Sequence, residues 1–325
     1  MNDVLLKVDN LKVHFEVTNG RLFSKPAYVK AVDGVSFELK KGETLSIVGE
    51  SGCGKSTLGR AVLQLLHNTA GSVVWMGTEI SGWKAKAMQP LRKDMQIIFQ
   101  DPLASLDPRM TIGDIIAEPL RVHHPELSRD EIQERVRQMM ATVGLLPRMI
   151  NRYPHEFSGG QCQRIGIARA MILRPKVIVC DEPVSALDVS IQAQIVNLLA
   201  QLQEEFGLSL LFISHDLSIV RHISHRVMVL YLGNVVEIAD KKTLYEQPLH
   251  PYTQALISSV PIPDPDHDLS HHRIVLKGEL PSPINPPSGC VFRTRCPHAQ
   301  AQCSEEKPPL KLLSTHQQVA CLMVG

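Results

Sequence analysis

A glycine-rich segment between a short apolar run and a predicted helix constrains the fold of this chain more than any other feature. The apolar run covers residues 45–48, and residues 49–57 fit the pattern G-x-x-x-x-G-K-S/T. Glycines allow the backbone to curl so that successive amide groups point at phosphate oxygens, and the helix that begins at Ser56 adds the positive end of its dipole. A glycine-rich turn that matched by chance would need neither the strand before it nor the helix after it. The segment therefore predicts a nucleotide-phosphate site on an α/β fold.

The residues of this phosphate loop have separate predicted roles. Lys55 is expected to bridge the β- and γ-phosphates, and Ser56 is expected to ligate Mg²⁺. The predicted ATP-binding set is Gly49, Glu50, Ser51, Gly52, Cys53, Gly54, Lys55, Ser56 and Thr57. Cys53 has no chemical role in this hypothesis, and we interpret it, like Cys162 and Cys180, as a small filler.

A second apolar run, residues 177–180, ends in two adjacent acids. We expect Asp181 to hold Mg²⁺ through water, and Glu182 to polarise the water that attacks the γ-phosphate. Adjacent acids at the end of a strand can also form a helix cap or a surface pair. The phosphate loop upstream favours the catalytic interpretation.

Composition and charge exclude several other classes of protein. The chain has 325 residues, 44% of them hydrophobic, and a formal net charge of +1. A net charge this small would not attract nucleic acid or anionic lipid to the protein as a whole. No apolar run is long enough to cross a bilayer. The sequence opens without an export signal, and its seven cysteines, an odd number, argue against a disulfide framework. We expect a cytosolic protein that reaches a membrane only through a partner.

Apolar runs and prolines divide the chain into two predicted domains. The predicted strands are 45–48, 177–180 and 208–213, and the predicted helices are 128–143, opened by a Ser128–Glu131 capping box, and 190–205. Such buried strands alternating with helices are typical of a parallel sheet covered on both faces. Ten of the 22 prolines and four of the seven cysteines follow residue 260, where periodicity is weak. We therefore predict a nucleotide-binding domain at 1–260 and a small irregular domain at 261–325.

Phe157 and the residues that follow it form a second phosphate-binding pattern. Ser158, Gly159, Gly160 and Gln161 open a predicted helix, where paired glycines again present bare amides. This motif resembles the signature of ABC-transporter ATPases, in which the signature of one subunit covers the nucleotide on the other. The usual first residue is Leu, and we expect Phe157 to be tolerated because it lies outside the Ser-Gly-Gly-Gln core.

Further motifs match this family, and the resemblance implies their roles. Gln100 matches the loop glutamine that touches Mg²⁺ and the attacking water, and His215 matches the switch histidine that contacts the γ-phosphate. Ser185 and Asp188 match the loop that crosses the dimer interface, and Phe15 matches the aromatic that stacks on adenine. Singly, such a glutamine is usually solvated and such a phenylalanine is usually core. The order of these motifs is that of the family, which excludes coincidence.

The resemblance implies an ABC-type P-loop ATPase fold. This fold has a parallel-sheet core, an N-terminal antiparallel β subdomain and a helical subdomain, here at about 101–170. Other segments resemble the peptide and nickel importers of the family: residues 100–109, 151–157, 250–256 and 278–290. Together they make the whole chain similar to the F-type ATP-binding subunits of oligopeptide permeases. Dipeptides, murein peptides and nickel remain alternative substrates, with oligopeptides favoured.

Partners and location are also implied by the resemblance. The chain would pair with a related D-type ATPase on two membrane permease subunits, at the cytoplasmic face of a bacterial inner membrane. An extracytoplasmic peptide-binding protein would feed the complex. Residues 101–120 would receive the coupling helices of the membrane subunits, unless they form only a proline-containing connector.

The four cysteines of the tail form a candidate metal-binding set. Cys290, Cys296, Cys303 and Cys321 are spaced C-x5-C-x6-C-x17-C, which matches neither zinc ribbons nor ferredoxins. Spacing alone leaves zinc, an iron–sulfur cluster and free buried thiols open, although a bound metal could supply folding energy to so small a domain. The resemblance implies a 4Fe–4S cluster, because similar importers include members with one on a similar cysteine set. The tail histidines, His267, His271 and His272, are interpreted as part of a solvated polar stretch rather than as ligands.

Two other classes of function are the alternatives. A soluble ABC ATPase acting on nucleic acid or ribosomes often has two cassettes or a long coiled-coil insertion, and neither is found in this sequence. Its balanced charge also argues against binding to a phosphate backbone. A catalytically silent regulatory partner would not need the intact set Lys55, Asp181, Glu182 and His215. We therefore predict an active ATPase with no nucleic-acid partner.

Overall fold

The fold is described from a computed structural model that covers residues 3–17, 26–260 and 274–324. These residues form two compact units. The first unit contains residues 40–44 and 83–214, and the second contains residues 4–17, 26–39, 45–82, 215–260 and 274–324. The predicted domain boundary near residue 260 and the three tail histidines fall on or beside residues 261–273, which lie outside the described residues, so that boundary stays a prediction.

The secondary structure alternates strands and helices along most of the chain. The strands are β1 (Val4–Val17), β2 (Ala27–Lys40), β3 (Thr44–Val48), β4 (Ala70–Trp75), β5 (Thr78–Glu79), β6 (Met95–Ile98), β7 (Val177–Asp181), β8 (Ser209–Ile213), β9 (Arg226–Tyr231), β10 (Asn234–Asp240), β11 (Lys311–Ser314) and β12 (Gln317–Val319). The helices are α1 (Lys55–Val62), α2 (Ala85–Met88), α3 (Ile112–His123), α4 (Arg129–Thr142), α5 (Gly159–Met171), α6 (Val189–Phe206), α7 (Leu217–Ile223), α8 (Lys241–Glu246), α9 (Pro251–Ser258) and α10 (Gln302–Glu305). All three strands predicted from apolar runs are present, as β3, β7 and β8.

The first unit is built on three parallel strands, two of which are buried along their whole length. β6 pairs with β7 and β7 pairs with β8, all in parallel, and every residue of β7 and β8 is buried. Burial on both faces explains why these strands have continuous apolar sequences rather than alternating ones. The prediction of parallel strands is confirmed for this unit.

Capping residues mark the ends of two helices in the first unit. Ser128 caps α4 by accepting from the Glu131 N–H, and the Glu131 carboxylate accepts from the Ser128 N–H at 2.8 Å, which confirms the predicted capping box. α6 ends at Gly207, whose φ of +61° suits a residue without a Cβ. α3 packs against α4 and α5, so these three helices form one packed group within the first unit.

The second unit combines an antiparallel sheet with a mixed one. β1, β2, β4 and β5 form a sheet in the order β2-β1-β4-β5, and the β1–β4 and β4–β5 pairs are antiparallel. This confirms the expected N-terminal antiparallel β subdomain. β3 pairs in parallel with β9, and β9 continues through antiparallel pairs to β10, β12 and β11.

The tail is more regular than the sequence predicts, because its last strands join the sheet of the second unit. β12 pairs with β10, and the Ala320 N–H donates to the Val236 carbonyl at 2.9 Å. Glu237 on β10 is fully buried, and its carboxylate accepts from the Gln317 side chain at 2.7 Å. The same carboxylate accepts from the backbone N–H groups of Leu249 and His250. β11 and β12 are too short to show a periodic pattern, so sequence reasoning missed them.

An aromatic cluster of Tyr231, Tyr252, His250 and Phe292 anchors the middle of the tail. The Phe292 ring centroid lies 5.2 Å from that of Tyr231 and 5.4 Å from that of Tyr252. His250 caps α9, because its Nδ1 accepts from the Tyr252 N–H at 3.1 Å. Burial lowers the pKa of His250 to about 3, so the imidazole is neutral at physiological pH.

Among the described helices, none combines the length and apolar character that a membrane span requires.

Candidate nucleotide-binding and hydrolysis site

The phosphate loop lies between β3 and α1 in the second unit, as the sequence predicts. Gly49, Gly52 and Gly54 have positive φ angles of +154°, +77° and +102°. A Cβ on Gly49 would lie 2.2 Å from the Leu230 carbonyl oxygen, and one on Gly54 would lie 1.9 Å from the Ala31 carbonyl oxygen. These two positions therefore require glycine for both conformation and space. The resulting loop lies at the N-terminus of α1, where an anion is stabilised.

Lys55 is held across this loop. Its side chain is buried, and Nζ donates to the carbonyl oxygens of Gly49 at 2.8 Å and Glu50 at 3.1 Å. Burial raises the pKa of the Cys53 thiol to about 11, so Cys53 adds no negative charge to a phosphate site. Ser51 and Gly52 are exposed, whereas Ser56 and Thr57 are half-buried in the first turn of α1. The loop thus fits the group that the motif implies.

Glu50, the second residue of the loop, has contacts that sequence reasoning missed. Its carboxylate lies 2.8 Å from Nη1 of Arg295, and its N–H donates to the Tyr252 hydroxyl at 3.0 Å. No local pattern could have shown these contacts, since the Arg295 partner is 245 positions away.

Gln100, Asp181 and Glu182 belong to the first unit, where β7 ends. Asp181 is buried, whereas Glu182 is half-buried and has a positive φ of +46°. Gln100 donates from Nε2 to the Glu182 carboxylate at 3.1 Å, and the Glu182 N–H donates to the Ile213 carbonyl at 3.1 Å. The structure therefore brings together the predicted catalytic carboxylate and the loop glutamine. A positive φ at a residue with a side chain costs of order 1 kcal/mol and is characteristic of functional sites.

The signature motif begins α5 in the first unit. Ser158 and Gln161 form a capping box, with the Ser158 N–H donating to Gln161 Oε1 at 3.0 Å. A Cβ on Gly160 would lie 2.5 Å from Ile191 Cγ2, so glycine allows α5 to approach α6. Ser158 and Gly159 are exposed. The start of this helix is therefore accessible to a second molecule.

The loop between β7 and α6 carries the predicted interface residues. Ser185 donates from its hydroxyl to the Glu182 carbonyl at 3.1 Å, which fixes this loop to the catalytic residue. Asp188 precedes α6 but forms no side-chain capping bond, and Val189 beside it is 82% exposed. An exposed carboxylate next to an exposed aliphatic side chain is available for contact with another chain.

The remaining predicted residues, His215 and Phe15, belong to the second unit. His215 follows β8, and its neighbour Asp216 caps α7 by accepting from the Ser218 N–H at 2.7 Å. Phe15 lies on β1 with 41% of its surface exposed, which suits a ring that stacks on a base better than a core residue.

The four tail cysteines are free thiols, and the other three lie near enough to Cys290 to act on its thiol electrostatically. The Cys290 N–H donates to the Cys303 carbonyl at 2.8 Å. Burial raises the pKa of the Cys290 thiol, with smaller contributions from the other three cysteines. However, no three or more His, Cys, Asp or Glu side chains within residues 3–17, 26–260 and 274–324 are arranged so that they could hold a metal ion. The expected iron–sulfur site is therefore not supported by the arrangement of these thiols.

Comparison with known proteins agrees with the motifs. A family described as "ABC transporter" matches residues 32–185, and one described as "Oligopeptide/dipeptide transporter, C-terminal region" matches residues 236–303. The oligopeptide transport ATP-binding protein OppF of Escherichia coli is 62% identical over 99% of this chain and 96% of its own length. The di/tripeptide transport ATP-binding protein DppF of Pseudomonas aeruginosa is 51% identical over 98% of this chain and 97% of its own.

A solved structure has the same fold. The dimeric post-hydrolysis structure of the ATP-binding cassette MJ0796, bound to ADP and Pi, superimposes with a TM-score of 0.64. It is 29% identical and covers 73% of this chain and 98% of its own. The chain belongs to the ATP-binding subunits of ABC transporters, in their oligopeptide/dipeptide branch. Its activity is that of the family, ATP hydrolysis coupled to transport.

Proposed function

We propose that this chain powers the import of oligopeptides by hydrolysing ATP beneath an ABC permease. The hydrogen bond from Gln100 to the Glu182 carboxylate, beside buried Asp181, is the observation that carries the catalytic part of this proposal. The oligopeptide substrate is supported by the relative OppF, which is similar over nearly the whole chain. DppF is named for di- and tripeptides and supports short peptides as the alternative.

The catalytic residues act in order on ATP. Lys55 and the amides of the phosphate loop bind the phosphates, and Phe15 stacks on the adenine. Ser56, Gln100 and Asp181 would hold Mg²⁺, which would neutralise charge on the phosphate oxygens.

Glu182 accepts a proton from the attacking water, which Gln100 orients, and His215 binds the γ-phosphate. The Glu182 carboxylate is positioned by the hydrogen bond that it accepts from the Gln100 amide.

A second ATPase completes each nucleotide site. Ser158, Gly159, Gly160 and Gln161 cover the nucleotide of a related D-type subunit, whose own signature covers the phosphate loop of this chain. Exposure of Gly159, Asp188 and Val189 supports this pairing. Residues 101–120 receive the coupling helices of two membrane subunits, and exposed Leu103 in this segment offers an apolar contact. The pair lies at the cytoplasmic face of the inner membrane and depends on an extracytoplasmic peptide-binding protein.

Affinity purification tests the assembly. A tagged chain recovered from detergent-solubilised membranes is expected to bring a second ATPase and two permease subunits in about equal amounts. Cells that lack the chain are expected to lose uptake of labelled pentapeptides, and the wild-type gene restores it. Recovery of ribosomes without membrane subunits would contradict the importer. Restored uptake of dipeptides alone would instead assign the substrate to the alternative.

The four cysteines are proposed to hold a metal group, with a 4Fe–4S cluster favoured over zinc. Support comes from their mutual proximity and from the burial of Cys303 and Cys321. The thiols do not have the arrangement of a ligand set in this structure. No step of ATP hydrolysis is assigned to such a group.

Metal analysis of the full-length chain, purified anaerobically, tests this site. We expect broad absorbance near about 400 nm and about four irons per chain, and we expect both to be lost when Cys296 is replaced by Ser. Replacement of Cys180 by Ser is the matched control, because this thiol belongs to β7 and not to the tail. One zinc without iron would keep the ligand set but reject the cluster. Neither metal would reject both.

A further inference from the structure

The segment of the tail that carries Cys290 and Cys296 also contacts the phosphate loop. Arg295 Nη1 lies 2.8 Å from Glu50 Oε2, with 10% of the arginine side chain and 28% of the glutamate side chain exposed. The guanidinium carbon lies 6.0 Å from the centroid of the Tyr231 ring, over its face. The arginine is therefore fixed by an ion pair and by an aromatic surface at the same time.

A second contact joins the same tail segment to the backbone of Glu50. The Glu50 N–H donates to the Tyr252 hydroxyl at 3.0 Å, and the Phe292 ring packs against Tyr252 at 5.4 Å. The Arg295 N–H donates to the Phe292 carbonyl at 3.0 Å. Residues 289–296 thus contact the Glu50 side chain directly, through Arg295, and are linked to the Glu50 amide through Tyr252.

The charge of Glu50 makes this contact important for nucleotide binding. A carboxylate within a triphosphate site repels its ligand unless a cation neutralises it. Because the pair is largely shielded from water, salt screens it less than a surface pair. An arginine guanidinium carries its positive charge at every physiological pH.

We propose that Arg295 is a positioning residue for ATP, which neutralises and orients Glu50 so that nucleotide affinity depends on the fold of residues 289–296. This inference rests on the proposed role of the phosphate loop. It gives the tail a function in the ATP cycle that does not require a bound metal. Arg295 itself does not touch the nucleotide.

Replacement of Arg295 by Met in the full-length chain tests the proposal. We expect the Kd for ATP with Mg²⁺ to rise about tenfold, while kcat at saturating ATP stays within about twofold. Arg295→Lys, which keeps the charge, is expected to recover most of the affinity. Arg293→Met is the matched control, because Arg293 lies on the same segment but donates to the Ser288 carbonyl rather than to the loop. This control is expected to bind ATP as the wild type does.

A double-mutant cycle separates positioning from a general loss of stability. In a Glu50→Gln background the arginine has no negative charge to neutralise, so Arg295→Met is expected to change the Kd by less than about twofold. An equal loss in both backgrounds, or no loss in either, would overturn the proposal. The wild type and Lys55→Ala are measured in parallel. If the wild type binds ATP and Lys55→Ala does not, the phosphate loop is supported whatever Arg295 does.

Discussion

Replacement of Glu182 by Gln is expected to lower ATP turnover at this site by at least about a hundredfold, because an amide cannot accept the proton of the attacking water. The change keeps the size of the side chain. Gln100 can still donate to the carbonyl oxygen of the new amide, as it does to the carboxylate at 3.1 Å. We therefore expect ATP binding and ATP-dependent closure of the ATPase pair to remain.

This prediction is measured as phosphate release by the purified complex, with the partner's own site inactivated so that one site is observed. Closure is measured separately by ATP-dependent cross-linking. Glu205→Gln is the matched control, since Glu205 is exposed on α6 of the same unit. Turnover that survives in Glu182→Gln would remove Glu182 from the catalytic role. Loss of both turnover and closure would mean that the carboxylate also supports the interface.

Features coded by adjacent residues could be predicted from the sequence. The phosphate loop needs glycine at Gly49 and Gly54 because the backbone of the second unit leaves no room for a Cβ, and such a requirement is visible as a motif. The strands β7 and β8 are visible as apolar runs because every residue in them is buried. The roles of Gln100 and Glu182 were implied by the family resemblance, and the structure places the two side chains 3.1 Å apart.

Features that depend on distant residues could not be predicted. The ion pair of Glu50 with Arg295 joins positions 245 apart, and neither residue belongs to a pattern that names the other. Pairing of β12 with β10 brings buried Glu237 together with donors from two separate parts of the chain, residues 249–250 and Gln317. The family resemblance implied a ligand set of four tail cysteines, but cysteine spacing does not fix the directions of the thiols. The described residues accordingly lack the geometry of a metal site.

Replacement of Gly54 by Ala is expected to abolish measurable ATP binding and to destabilise the chain by about 2–4 kcal/mol. Gly54 precedes α1 with a φ of +102°, which disfavours any residue with a Cβ. The added methyl would also lie 1.9 Å from the Ala31 carbonyl oxygen, and this neighbour is backbone rather than a flexible side chain. The loop must therefore move, and its amides would no longer converge on the phosphates.

Gly82→Ala separates the effect of backbone strain from the effect of contact. Gly82 has a φ of +70°, but a Cβ there would meet no atom within 4 Å. We expect this variant to lose only about 1 kcal/mol in urea unfolding and to keep the wild-type Kd for ATP. If Gly54→Ala loses no more stability than Gly82→Ala, the backbone at Ala31 can move to make room for the added methyl group. If it loses stability but keeps ATP affinity, the curvature of the loop does not determine phosphate binding, and the dipole of α1 with Lys55 would then carry that role.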